Sequence, residues 1–313
     1  MKGLELSRKF YEEYGKPMLE SEFSDCFHLL AIGLVGSGSD CYGYDDDLSL
    51  DHDFEPGFCI FTPDADILDE KTFFRLERAY SKLPQEFMGY KRSLVKPVGG
   101  SRNGVFRTSD FYIKKLGSPD GNLSVEQWLS LPDFALLEAT NGEIFCDNSG
   151  EFSKIRNSLK EYPRDIFLKK LAGNLLLMAQ SGQYNYSRIL KRGETGSAQL
   201  ALFEFSNSAV KCFFLLNKAY LPYYKWQFRA LRDLPDGKAF ADSLEFLIST
   251  DNSPENAEIK ISVIENICDD IISLLKLNSI TKATCNDLEK HAYSVNDFIE
   301  NPTLRNASIF AGV

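Results

Sequence analysis

The chain has 313 residues, 43% hydrophobic and 13% aromatic, enough for one large domain or two ordinary ones with a full core. Its net charge of −10 argues against nonspecific binding to DNA or RNA, which needs a basic surface. The N-terminus has no signal-like apolar run, and no stretch of about 18 apolar residues suggests a membrane span, so a cytoplasmic protein is expected.

In chain order, residues from about Ser7 to Ala31 are helical in pattern, with a break expected near Gly15–Pro17. "AIGLV" (31–35) is a short apolar run ending at Gly-Ser, as a buried strand would. "GFCIFTPD" (57–64) is a second strand, closed by Pro and Asp. "ILDEKTFFRLERAYSKL" (67–83) places Phe73, Leu76 and Tyr80 at helical spacing. After a glycine-rich turn at 99–104, "VFRTSDFYI" reads as a strand or a strand-to-helix transition. "FALLEATNGEIFCDNSG" reads as two apolar runs joined at Asn-Gly, a hairpin signal. From Glu151 onward the pattern turns to helices with wide apolar faces. The expected architecture is therefore an α/β domain over residues 1–150 and an α-helical domain over 151–313.

Seven single cysteines without a Cys-x-x-Cys pair argue for reduced thiols rather than a zinc or redox site. Three dispersed histidines point the same way. His28 is expected to be structural and His291 to lie at the surface.

Charge is uneven. Residues 1–150 carry 15 Lys+Arg against 26 Asp+Glu, a net of −11, while residues 151–313 carry 20 against 19, a net of +1. The acidic excess concentrates in "GSGSDCYGYDDDLSLDHDFEPGF" (36–58). Gly36 and Ser37 end the first strand, where a missing side chain lets backbone N–H groups and a hydroxyl approach a phosphate. Asp51 and Asp53 flank His52; on a strand, residues i and i+2 point to one side. Two carboxylates side by side are tolerated when a cation lies between them or water surrounds them, and Mg²⁺ takes such oxygen ligands together with phosphates. Asp45, Asp46 and Asp47 are expected to cap a helix or line the mouth of the site.

A helix, a strand ending in Gly-Ser and an Asp-x-Asp at the next strand's start resemble the polymerase-beta-like nucleotidyltransferase superfamily. The spacing from Ser37 to Asp51 is a few residues longer than that pattern. The same stretch, with "LLEATNGEIFCDNSGEFSKIRNSLKEYP" and "LLNKAYLPYYKWQFRALRDLP", is similar to the bacterial family catalogued as domain of unknown function 4037. The resemblance implies a nucleotidyltransferase-like α/β (α+β) domain with a mixed sheet, followed by an α-helical bundle closing the cleft. It implies that Asp51 and Asp53 bind Mg²⁺ and that Gly36 and Ser37 bind the triphosphate of ATP or another NTP.

Lys225 and Arg229 share a helical face and are expected to meet the triphosphate, as is Arg192 in "SRILKRGE". The superfamily's third carboxylate lies on a later strand; the matching "GVFRTSD" offers Phe106 or Arg107 instead, with Asp110 nearby. Glu204, mid-helix in "LALFEFSNS", is the candidate to replace it. The implied activity transfers a nucleoside monophosphate to a small hydroxylated acceptor, neither nucleic acid nor membrane-bound. The competing readings are a nucleotide sensor without catalysis and a protein-interaction module.

Overall fold

The computed structural model describes residues 1–51, 54–92 and 102–313, with Leu50 and Asp51 by backbone alone. The chain divides into two compact units. One joins Met1–Leu123 with Phe134–Lys160; the other joins Ser124–Asp133 with Glu161–Val313.

In the first unit, α1 (Gly3–Phe10) runs through a π-turn at Tyr11–Gly15 into α2 (Lys16–Glu22). The break expected near Gly15–Pro17 is thus a change of helical pitch. Pro17 falls in the first turn of α2, where its missing N–H is tolerated. Next come β1 (Ala31–Leu34), β2 (Cys59–Thr62) and α3 (Glu70–Ser81), whose N-terminus is capped by Asp69. A small hairpin, β3 (Glu86–Phe87) and β4 (Tyr90–Lys91), turns through Met88 and Gly89 at positive φ. Then follow β5 (Gly104–Arg107) and α4 (Thr108–Leu116), the strand-to-helix transition read from "VFRTSDFYI".

The main sheet is mixed, in the order β5–β2–β1–β6, with β6 at Glu143–Asp147. β2 and β5 are parallel; β1 is antiparallel to both β2 and β6. The register aligns Ile32 with Ile60 and Ile60 with Val105, so three β-branched side chains share one face. On that face they join Leu6, Phe10, Leu19, Leu76 and Tyr80 in one apolar core. The other face presents Phe61, which stacks on Phe152 at 4.2 Å and meets Phe111 edge-on at 5.2 Å. Phe152 lies in α7 (Glu151–Ser158) and Phe111 in α4. Helices therefore cover both faces, and burying each such ring contributes about 1.5–3 kcal/mol.

The hairpin expected across Asn-Gly is corrected. "DFALLEAT" forms α6 (Asp133–Thr140), because Ala135, Leu136 and Ala139 are buried along one helical face. Asn141 and Gly142 then link α6 to β6. Gly142 has φ +67, and a Cβ there would lie 2.2 Å from the Leu34 carbonyl oxygen. The dipeptide serves a helix-to-strand turn laid against β1.

The second unit is helical. It contains α5 (Val125–Ser130), α8 (Arg164–Met178), a π-turn at Ala179–Tyr186, α9 (Ser187–Leu190) and α10 (Thr195–Leu216). It continues with α11 (Gln227–Asp233), α12 (Gly237–Ser249), α13 (Pro254–Leu277), α14 (Leu288–Asp297) and α15 (Pro302–Asn306). α8 is buried nearly all round between α10 and α14. Its Lys169 is fully buried yet donates to Asn296 Oδ1 at 3.0 Å and to the Ala307 carbonyl at 2.9 Å. Burial still holds the Lys169 pKa below the ordinary lysine value.

His291 is fully buried on α14, correcting the surface expectation: its ring nitrogens pair with Thr281 Oγ1 and the Cys285 carbonyl, both at 2.8 Å. His28, expected to be structural, is exposed. Among the described residues, no helix is long and apolar enough to cross a membrane.

Candidate functional site at the end of β1

β1 runs out into Gly36 and Gly38, with φ of +101 and +120. Asn141, just past α6, clamps the turn from one side. Its Oδ1 accepts from the Gly36 N–H and its Nδ2 donates to the Gly36 carbonyl, both at 2.9 Å. Arg102 clamps it from the other side, donating through Nε to the Ser37 carbonyl at 2.8 Å and pairing with Asp40. A Cβ at Gly38 would fall 1.9 Å from the Arg102 guanidinium, so only glycine admits this contact.

The Ser37 hydroxyl, on an exposed residue, meets two charged groups. Lys115 Nζ donates to Ser37 Oγ at 2.8 Å, and Ser37 Oγ donates to Glu138 Oε2 at 2.9 Å. Lys115 and Glu138 also form an ion pair with each other, each side chain 15% exposed. Tyr42 completes the group, its hydroxyl donating to Glu138 Oε1 at 3.1 Å. Burial, and then the Glu138 charge, pushes the Tyr42 phenol up from its ordinary pKa.

The surrounding elements explain the placement. Phe111, one helical turn before Lys115, anchors α4 on Phe61, while the buried Leu136 and Ala139 anchor α6 on either side of Glu138. The result is an ordered hydroxyl beside an ammonium, a combination suited to an anion. Sequence reasoning found Gly36 and Ser37 but missed Lys115, Glu138, Asn141, Arg102 and Tyr42. Glu138 did carry a signal, as the one acid in the apolar "FALLEAT". Lys115 carried none, since a lysine in a last helical turn is favoured there by the helix dipole alone.

The neighbouring aspartates are mostly accounted for by capping. Asp45 is buried, and its Oδ2 accepts from the Gly3 N–H at 2.8 Å, at the N-terminus of α1. Asp46 Oδ1 accepts from the Ser49 N–H at 3.2 Å, holding a 3₁₀ turn at Asp47–Asp51. That turn corrects the placement of Asp51 at the next strand's start: its backbone closes a 3₁₀ turn, residues 54–58 are not strand, and β2 begins only at Cys59. The turn forms here because Asp46 and Ser49 bond to each other's backbone, an alternative to a ladder. The Asp51 side chain and all of Asp53 lie outside the described residues. Among the described residues, no group of three His, Cys, Asp or Glu is arranged to hold a metal.

β5 supplies no carboxylate. Phe106 pairs in register with Phe61. Arg107 is buried and donates to the Pro63 and Leu68 carbonyls, each at 2.7 Å, and to Glu70 at 2.8 Å. It fastens β2 to the start of α3. Asp110 is exposed in the first turn of α4.

In the helical unit, Glu204 is exposed on α10 between the buried Leu202 and Phe205. Lys225 and Arg229 are exposed and stand 5.0 and 5.7 Å from the Trp226 ring. Arg192 is exposed in the turn after α9. A groove in this unit, lined by Gln180, Gln183, Tyr184, Cys285, Asp287 and Glu289 among others, has no lysine or arginine in its lining. It does not suit a polyphosphate.

Comparison with known proteins places part of this framework. Residues 128–227 match the model of the family described as Domain of unknown function (DUF4037). The match includes Glu138 and Asn141 of the site and α6 through α10. No curated protein and no solved structure matches the chain.

Proposed function

We propose that the protein is a Mg²⁺-dependent nucleotidyltransferase, moving a nucleoside monophosphate from an NTP to the hydroxyl of a small molecule and releasing pyrophosphate. The observation that carries this reading is the Gly36–Ser37 turn, clamped by Asn141 and Arg102 with Lys115 on its hydroxyl. A pre-ordered turn of this kind spends little entropy when it receives a phosphate, which is how positioning lowers a barrier.

Asp51 and Asp53 are the residues that would hold Mg²⁺; their hard oxygen donors match its chemistry. When bound, the ion neutralises the triphosphate and lowers the pKa of the acceptor hydroxyl. Gly36 and Ser37 orient the phosphates, and the protein's electrostatic work is to stabilise charge developing on the α-phosphate and the departing pyrophosphate. On the helical unit, Lys225, Arg229 and Arg192 are retained in the proposal as nucleotide-binding residues and Glu204 as the acid–base candidate. The acceptor is small, because the chain's net charge is −10.

The second reading is a nucleotide sensor without catalysis. It is favoured by one observation: the positions expected to hold a third carboxylate are Phe106 and the structurally committed Arg107. Incubation with each NTP, Mg²⁺ and a library of hydroxylated metabolites separates the two. Pyrophosphate release that is lost in an Asp51→Asn, Asp53→Asn variant supports the transferase. Binding without release supports the sensor, and activity retained by the variant moves the catalytic centre elsewhere.

A further inference from the structure

Lys115 and Glu138 invite a more specific statement about the same turn. Lys115 is held by Ser37 and Glu138. Its ammonium bonds Ser37 Oγ and pairs with Glu138, while its Cε lies 3.7 Å from where a Gly36 Cβ would be. The aliphatic stem therefore passes at van der Waals distance from position 36. Glu138 is held as firmly, accepting from Tyr42, Ser37 and Lys115 at once.

These two groups differ in what they can do next. Glu138 projects from α6 between buried neighbours and keeps two hydroxyl donors even if the ammonium leaves. Lys115 sits in the last turn of α4 on a flexible four-carbon stem with three donors, so its ammonium can change partner while its backbone stays fixed.

We propose that the Lys115–Glu138 ion pair is a displaceable stand-in for bound nucleotide: Lys115 is the phosphate ligand of the Gly36–Ser37 turn, and Glu138 is the resident anion that the phosphate must displace. This rests on the nucleotide reading above and adds to it a residue and a direction of control. A carboxylate beside a phosphate site opposes the incoming negative charge and competes for the cation. Glu138 thus lowers affinity for the nucleotide while keeping the empty turn ordered and its lysine neutralised. Free inorganic anions carrying less charge than a triphosphate displace it poorly, which gives the site selectivity for polyphosphates.

The proposal predicts opposite effects from removing the two partners. Calorimetric titration with ATP and Mg²⁺ on the full chain measures them, with melting curves confirming that each variant is folded. Lys115→Met, which keeps the stem, is expected to weaken ATP binding at least about tenfold, the scale of one lost charge-assisted contact. Glu138→Gln, which keeps partners for Tyr42 and Ser37, is expected to tighten it several-fold. In the double variant the gain from Glu138→Gln is expected to vanish, because it acts only through Lys115. ATP binding unchanged by Lys115→Met, or weakened by Glu138→Gln, overturns this inference and leaves the nucleotide reading standing. A wild-type protein that binds no nucleoside triphosphate overturns both.

Discussion

Asn141 shows how much of the site rests on single side chains. One amide satisfies both backbone polar groups of Gly36, and a buried backbone group left without a partner is costly. Replacing Asn141 by Ala removes both bonds at about 0.5–1.5 kcal/mol each, so a loss of about 1–3 kcal/mol in denaturant unfolding is expected. The Ser37 hydroxyl should lose its position with the turn, so under the proposed nucleotide-binding function affinity for ATP should fall as well. If stability falls while affinity does not, Gly36 has no part in binding.

The same scale explains why Lys115 is invisible in the sequence, and why Glu138 shows only as an acid in an apolar run with no sign of its partner. They lie 78 and 101 positions from Ser37, and nothing local names a partner that distant. His291 was misread for the opposite reason. Its immediate neighbours in "LEKHAY" look polar, yet Leu288, His291, Ala292 and Val295 form the buried stripe of α14.

At the scale of elements, legibility followed the strength of local punctuation. β1 and β2 stand where short apolar runs meet Gly-Ser and Pro-Asp, and α3 stands where Phe73, Leu76 and Tyr80 repeat at helical spacing. The failure at 133–147 has a physical cause. Asn-Gly allows positive φ and so fits a hairpin, but it equally fits the exit from a helix, and packing against the sheet decided between them. In the acidic stretch the helix-capping expectation is met by Asp45, while at Asp51 the Asp46–Ser49 bonds fold a 3₁₀ turn where the start of a strand was expected.

Packing on the sheet's second face can be tested directly. Phe152 is 1% exposed, stacks on Phe61 and contacts Phe111 and Tyr112. Phe152→Ala should cost about 3–5 kcal/mol in equilibrium unfolding. Because Phe111 is also the anchor of α4, the proposed nucleotide-binding function predicts that the variant loses ATP affinity in parallel with Lys115 order. Destabilisation under about 1 kcal/mol would mean that the helices on this face are not seated on the sheet as described.

For the whole molecule, a set of buried tyrosines links stability to alkaline pH. Tyr11, Tyr80 and Tyr112 in the first unit, and Tyr162, Tyr186 and Tyr220 in the second, all have phenols pushed up by burial. For Tyr186 the value reaches about 12. The sign follows from proton binding. Below the free phenol pKa of about 10, the folded and unfolded chains hold these protons equally and stability does not depend on them. Above it the unfolded chain releases protons that the folded chain retains, so stability falls as pH rises toward the folded-state values. Because such tyrosines occur in both units, neither should survive as an alkaline-resistant remnant. Denaturant unfolding followed by circular dichroism should show little tyrosine-linked change up to about pH 9 and a steep loss beyond about pH 10. Phenolate absorbance for these six residues should rise together with that loss. Full tyrosine ionisation near pH 10 with the fold intact would show that these phenols are open to water, and the packed cores of both units would have to be redrawn.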